Sequence, residues 1–80
     1  MNSVLQVLRD VIREELGIEP PAPDTDLIAS GLFDSLELAI LLVEVEHRLD
    51  VRIPLGSLDL DSVRTVERIA TLVARASAAA

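Results

Sequence analysis

Pro20, Pro21 and Pro23 fall within four consecutive positions. No helix or central strand can cross such a stretch, because proline fixes φ and lacks an amide hydrogen. The chain must therefore be built as one element before this break and others after it. Before it, Val4, Leu5, Leu8, Val11, Ile12 and Leu16 recur at helical spacing. Asn2 or Ser3 is placed to cap that segment and Gly17 to end it, which predicts a first helix over about residues 3 to 16. After it comes a loop reaching Phe33. A loop of this length in a compact domain is either functional or pinned by apolar anchors, for which Leu27, Ile28, Leu32 and Phe33 are the candidates.

A second helix is expected from Asp34 or Ser35 to about Leu49, where Asp50 and then Pro54 stop it. GSLDLDS, residues 56 to 62, allows a short helical turn. Thr65 can cap a last helix with the apolar face Val66, Ile69, Leu72, Val73 and Ala76, and residues 77 to 80 are expected to fray. With no cysteine and Phe33 as the only aromatic, the core must be aliphatic. The expected fold is all-α: a small three-to-four-helix bundle with a long loop between the first two helices, one domain over residues 1 to 80. Eighty residues is near the size at which one hydrophobic core can hold a fold without staples.

Charge and hydropathy exclude several functions. A formal net charge of -7 opposes nucleic-acid phosphates and favours partners with basic surfaces. The longest uncharged aliphatic run, Leu38 to Val43, is too short to span a bilayer, and MNSVLQVLRDVIREEL lacks the form of a signal peptide. A soluble, cytoplasmic chain without membrane insertion is expected. The absence of cysteine removes thiol catalysis and zinc sites of the Cys type, and the single histidine leaves no metal pair, so no metal is expected. All seven basic residues are arginine, which points to GC-rich coding.

GLFDSLEL, residues 31 to 38, puts Asp34 and Ser35 between a loop and an aliphatic helix. At about 100° per residue one face of that helix gathers Leu38, Leu41, Leu42, Val45 and Leu49, a core stripe. The other gathers Leu36, Ala39, Ile40 and Val43, continued by Glu46, His47 and Asp50. That second face is either covered by neighbouring helices or an exposed docking strip headed by Ser35. Ser35 itself is either a helix cap or a site for an anionic group, since a helix N-terminus offers free N–H groups and a positive dipole end. It is not a nucleophile paired with His47: twelve residues of helix separate the two by about 18 Å. DTDLIASGLFDS opens like a calcium loop, but Ala29 and Ser35 stand where a glycine and a bidentate glutamate belong. Asp59 and Asp61 are expected on solvated faces.

GLFDSLEL with its Asp-Ser-Leu core, the aliphatic helix after it, RIP at residues 52 to 54 and TVERI at 65 to 69 together resemble the acyl carrier protein family. They span nearly the whole chain in the family's order. The resemblance implies that Ser35 Oγ bears 4′-phosphopantetheine, transferred from coenzyme A by a phosphopantetheinyl transferase, with Asp34 and Leu36 beside it. The thiol of that arm would hold an acyl group as a thioester, and the carrier would catalyse nothing. Leu36, Ala39, Ile40, Val43, Glu46 and His47 would be the docking surface.

Ile40 and His47 stand where fatty-acid carriers tend to have acids, and the segment from Pro54 to Thr65 is long. Both features look more like discrete aminoacyl or peptidyl carriers and D-alanyl carrier proteins, loaded by an adenylating ligase. The implied context is a free-standing, monomeric aminoacyl carrier of natural-product or antibiotic biosynthesis, passing its cargo to an acyltransferase or downstream synthase. D-alanylation of a cell-envelope polymer, and fatty-acid or polyketide synthesis, are the alternatives. A reading of another class is an unmodified helical protein-interaction module, with Ser35 only a cap.

Overall fold

The computed structural model describes residues 2–54 and 59–79. Three helices appear in chain order: α1 (Asn2–Glu15), α2 (Ser35–Leu49) and α3 (Val66–Ala79), with a 3-10 turn over Leu60–Val63 before α3. No strand occurs among the described residues, and the fold is the all-α bundle expected. None of the described helices is long and apolar enough to cross a membrane. The caps expected from Asn2 or Ser3, and the start of the turn expected over residues 56 to 62, lie outside the described side chains and residues.

Packing follows the aliphatic periodicity. Leu8, Val11 and Ile12 of α1, Leu38, Leu41, Leu42 and Val45 of α2, and Val66, Ile69, Ala70 and Val73 of α3 form one core, with α1 packed against both other long helices. At the end of α1, Gly17 takes φ +68, the left-handed conformation that only glycine adopts cheaply. This turn releases the chain into the proline segment. At the end of α2, Asp50 sits at φ 53 and ψ 47, and its N–H donates to the Glu46 carbonyl. Arg48, in the last turn of α2, reaches Glu14 at 2.9 Å and Glu15 at 3.4 Å, tying the C-terminal ends of α1 and α2 together.

The long loop is tied to the other end of the chain. Leu27 is fully buried; its N–H donates to the Arg64 carbonyl at 2.8 Å and its carbonyl accepts from Phe33 N–H at 3.0 Å. The Glu67 N–H donates to the Pro23 carbonyl at 3.0 Å. Asp26 Oδ1 accepts the N–H groups of Ile28 and Ala29, while its Oδ2 meets Arg64 Nη1 at 3.1 Å. Leu27 and Phe33 are the anchors expected, and Ile28 is half-buried, but Leu32 is not an anchor: it is 40% exposed. A loop has no periodicity from which to tell an inward leucine from an outward one.

Asp59 and Asp61 are exposed, as expected, and each also bonds within the chain. Asp59 caps the 3-10 turn, its Oδ1 accepting both Ser62 N–H and Ser62 Oγ–H at 2.9 Å. Asp61 pairs with Arg64 at 3.3 Å and Arg68 at 3.0 Å. Thr65 Oγ1 caps α3 as expected, accepting the Arg68 N–H at 3.1 Å.

These bonds have a pH consequence. The Ala29 N–H above all, helped by Arg64, holds the Asp26 carboxyl below the usual carboxylate value, and the Ser62 N–H and hydroxyl do the same for Asp59. A carboxyl whose folded value lies below its unfolded one stabilises the fold fully above the unfolded value of about 4. That stability disappears as pH falls through the lower, folded value. Urea midpoints measured from neutral pH downward should hold steady to about pH 5 and then fall. Asp26→Asn should flatten that fall.

Candidate functional site

The junction of the loop with α2 is fixed from both sides. Phe33, 4% exposed, enters the core and sets where the next residues leave it. Asp34 is extended, with φ -101 and ψ -178, and its Oδ1 accepts the Glu37 N–H at 2.8 Å. Glu37 Oε1 in return accepts the Asp34 N–H at 3.1 Å. The pair is a reciprocal capping box that satisfies two donors at the helix start.

Asp34, not Ser35, is therefore the cap. Both residue types suit that role, so proximity alone could not choose; Glu37, three residues beyond Asp34, is the signal that decides it. Ser35 is the first residue of α2 and is exposed, and its hydroxyl bonds to none of the described residues. The first bond of the helix runs from Leu38 N–H to the Asp34 carbonyl at 3.0 Å. The N–H groups of Ser35 and Leu36 remain at the positive end of the helix dipole, while that of Glu37 is taken by the cap. A negative group on Ser35 is favoured there by about 0.3–1 kcal/mol.

The two faces of α2 separate cleanly. Leu38, Leu41, Leu42 and Val45 are buried and Leu49 is half-buried. On the opposite side Leu36 is 68%, Ile40 40% and Val43 52% exposed, and Ala39 is open as well. None of the described helices covers them. The exposed Leu32, three residues before Ser35, is an apolar side chain that helical periodicity could not assign to this region.

The remaining two residues of the expected docking surface differ in kind. His47 is exposed, whereas Glu46 is half-buried and its Oε2 accepts the Ile53 N–H, at 2.6 Å, from the segment beyond the helix. Glu46 thus holds structure as well as lying beside the strip. Both line, with Val43 and Asp50, an open hollow of about 470 Å³ at the far end of α2. α2 runs unbroken from Ser35 to His47, so the separation of about 18 Å stands and no acid–base pair forms between them.

This geometry leaves an exposed serine hydroxyl at the head of a helix, with an open apolar strip beside it. A family model described as the phosphopantetheine attachment site matches residues 6–73. The chain belongs to this family of phosphopantetheine-bearing carrier proteins, and its prosthetic group is 4′-phosphopantetheine. It is similar to the D-alanyl carrier protein of Listeria welshimeri, with 32% identity over 70 residues that cover 88% of this chain and 87% of that protein. The D-alanyl carrier protein of Streptococcus sanguinis is 29% identical over 66 residues, covering 82% of this chain and 80% of that one. No solved structure matches the chain significantly. The residues present fit the family's group: a hydroxyl free to be esterified, two free N–H groups behind it and open ground in front.

Proposed function

We propose that Ser35 Oγ is the attachment point of 4′-phosphopantetheine, and that the chain, read as one domain over residues 1 to 80, carries an aminoacyl group, namely D-alanine. The observation that carries the attachment is the exposed, unbonded hydroxyl at the first position of a helix already capped by Asp34. When bound, the arm supplies a thiol that holds the acyl group as a thioester. The chain's own residues position it: Phe33 and Asp34 fix the serine, and the N–H groups of Ser35 and Leu36 face the phosphodiester. Leu36, Ala39, Ile40 and Val43, with Glu46 and His47 at their far end, receive the enzymes.

Carriers of this family work in general with a phosphopantetheinyl transferase and with ligases or acyltransferases. The names of the similar proteins support D-alanyl cargo over the natural-product setting that composition and the resemblance suggested. The proposed partners are the transferase, an adenylating D-alanine ligase and an acyltransferase that takes the group onward. Incubation with coenzyme A and a transferase should add the mass of one phosphopantetheine, mapping to the peptide that holds Ser35. Adding D-alanine, ATP and such a ligase should then add one alanyl mass, removable by hydroxylamine. A chain left unmodified in the first step would sink the attachment; one modified but never charged would sink the cargo.

A further inference from the structure

Asp26 lies well before Ser35 in the loop, and its two carboxylate oxygens serve different ends. Oδ1 accepts the Ile28 and Ala29 N–H groups and turns the chain, whereas Oδ2 meets Arg64 Nη1 at 3.1 Å. From that turn to the helix the segment is bonded to itself. Ser30 N–H donates to the Asp26 carbonyl, Gly31 N–H to that of Ile28, and Phe33 N–H to that of Leu27. Residues 26–33 therefore move as one piece. It is fastened by the buried Leu27 and Phe33, and twice by Arg64: the carbonyl takes the Leu27 N–H and the guanidinium takes Asp26. The first buried residue of α2 is Leu38, so the opening turn, residues 35–37, is held from behind by the Asp34 cap and Phe33.

We propose that Asp26 and Arg64 are positioning residues for transfer of phosphopantetheine to Ser35: their ion pair holds the 26–33 segment, and with it the opening turn of α2, in the orientation from which Oγ attacks. This deepens the attachment proposed above and rests on it. In that step Oγ bonds to the phosphorus that carries pantetheine, and the P–O bond of the coenzyme A pyrophosphate breaks. The nucleotide bisphosphate leaves, and the serine proton passes to a base of the transferase. Such an in-line displacement tolerates little misplacement, a shift of about 1 Å costing roughly 100-fold. Neither Asp26 nor Arg64 touches the reacting atoms. Asp61 supplies a built-in comparison, since it meets the same Arg64, at 3.3 Å, and Arg68, at 3.0 Å, yet bonds to no described residue of the loop.

Single-turnover transfer, with coenzyme A saturating and the transferase varied in excess, separates the maximal rate from the half-saturating concentration. Rates are taken per folded chain, from circular dichroism. Asp26→Asn is the informative variant: its amide oxygen can still accept from Ile28 and Ala29, while the charge facing Arg64 is gone. The maximal rate should fall about fivefold to tenfold, with half-saturation within about twofold because the exposed face of α2 is unchanged. Hydrogen exchange at the Leu27 and Phe33 amides should quicken while that at Val45 and Ile69 does not. Arg64→Gln should match this loss and Arg64→Lys should recover most of it, since one Nη1 makes the contact and an ammonium can replace it. Asp61→Asn should leave the maximal rate within about twofold of the parent, whatever it does to the urea midpoint. An unchanged rate in Asp26→Asn overturns the positioning role. So does an equal fall in Asp61→Asn, which makes general stability the cause, or a loss confined to half-saturation, which puts Asp26 in the partner's footprint. A wild-type chain that is never modified overturns the attachment itself; a modified one whose Asp26→Asn variant keeps the full rate overturns the positioning alone.

Discussion

Ser35→Ala is expected to abolish phosphopantetheine transfer completely and to leave the fold almost untouched. The first half follows from removing the only atom proposed to be esterified. The second follows from the capping box: Asp34 and Glu37 satisfy the donors at the start of α2 between them, and the Ser35 hydroxyl bonds to none of the described residues. Loss of an exposed, unbonded hydroxyl should change stability by less than about 0.5 kcal/mol. Asp34→Ala should do the reverse, costing about 1 kcal/mol in urea unfolding by removing the cap. Intact mass and urea titration of both variants check this. If Ser35→Ala proves the more destabilising of the two, the assignment of the cap to Asp34 is wrong.

The second large effect distinguishes two neighbours in the chain. Leu41 is fully buried and Ile40 is 40% exposed on the opposite face of the same turn. Leu41→Ala should cost about 2–5 kcal/mol, from lost burial and the cavity left behind. At roughly 0.05–0.15 kcal/mol per residue, a domain of this length has about 4–12 kcal/mol in all. The variant should therefore be partly or largely unfolded at physiological temperature. Ile40→Ala removes comparable bulk from the exposed face and should stay within about 1 kcal/mol of the parent. Circular dichroism against urea resolves the difference, and equal losses would place Ile40 in the core.

How far the sequence revealed this arrangement depended on the range of each interaction. Leu8, Val11, Ile12, Leu41, Val45, Ile69 and Val73 were legible because a buried stripe imposes a period that a few residues suffice to display. The outward strip of α2 was legible as a second stripe, though only the structure could show that neither α1 nor α3 covers it. The cap was ambiguous between two adjacent residues until Glu37 was weighed as Asp34's partner. What periodicity cannot carry was missed: Asp26 meets Arg64 across 38 positions, Glu46 reaches Ile53 beyond the end of its helix, and Leu32 turns outward from a loop. Such contacts depend on where the helices finally lie, which no local pattern encodes.

The bond between Leu27 and Arg64 has a consequence for the order of events in the cell. Ribosomes deliver the N-terminal half first, so the Asp-Ser-Leu triplet is made before Arg64. Until then the loop's buried leucine has no carbonyl to donate to, Asp26 has no arginine, and the approach through Phe33 is unsupported from the C-terminal side. The support beneath the serine's approach is thus complete only once the chain has been made through Arg64.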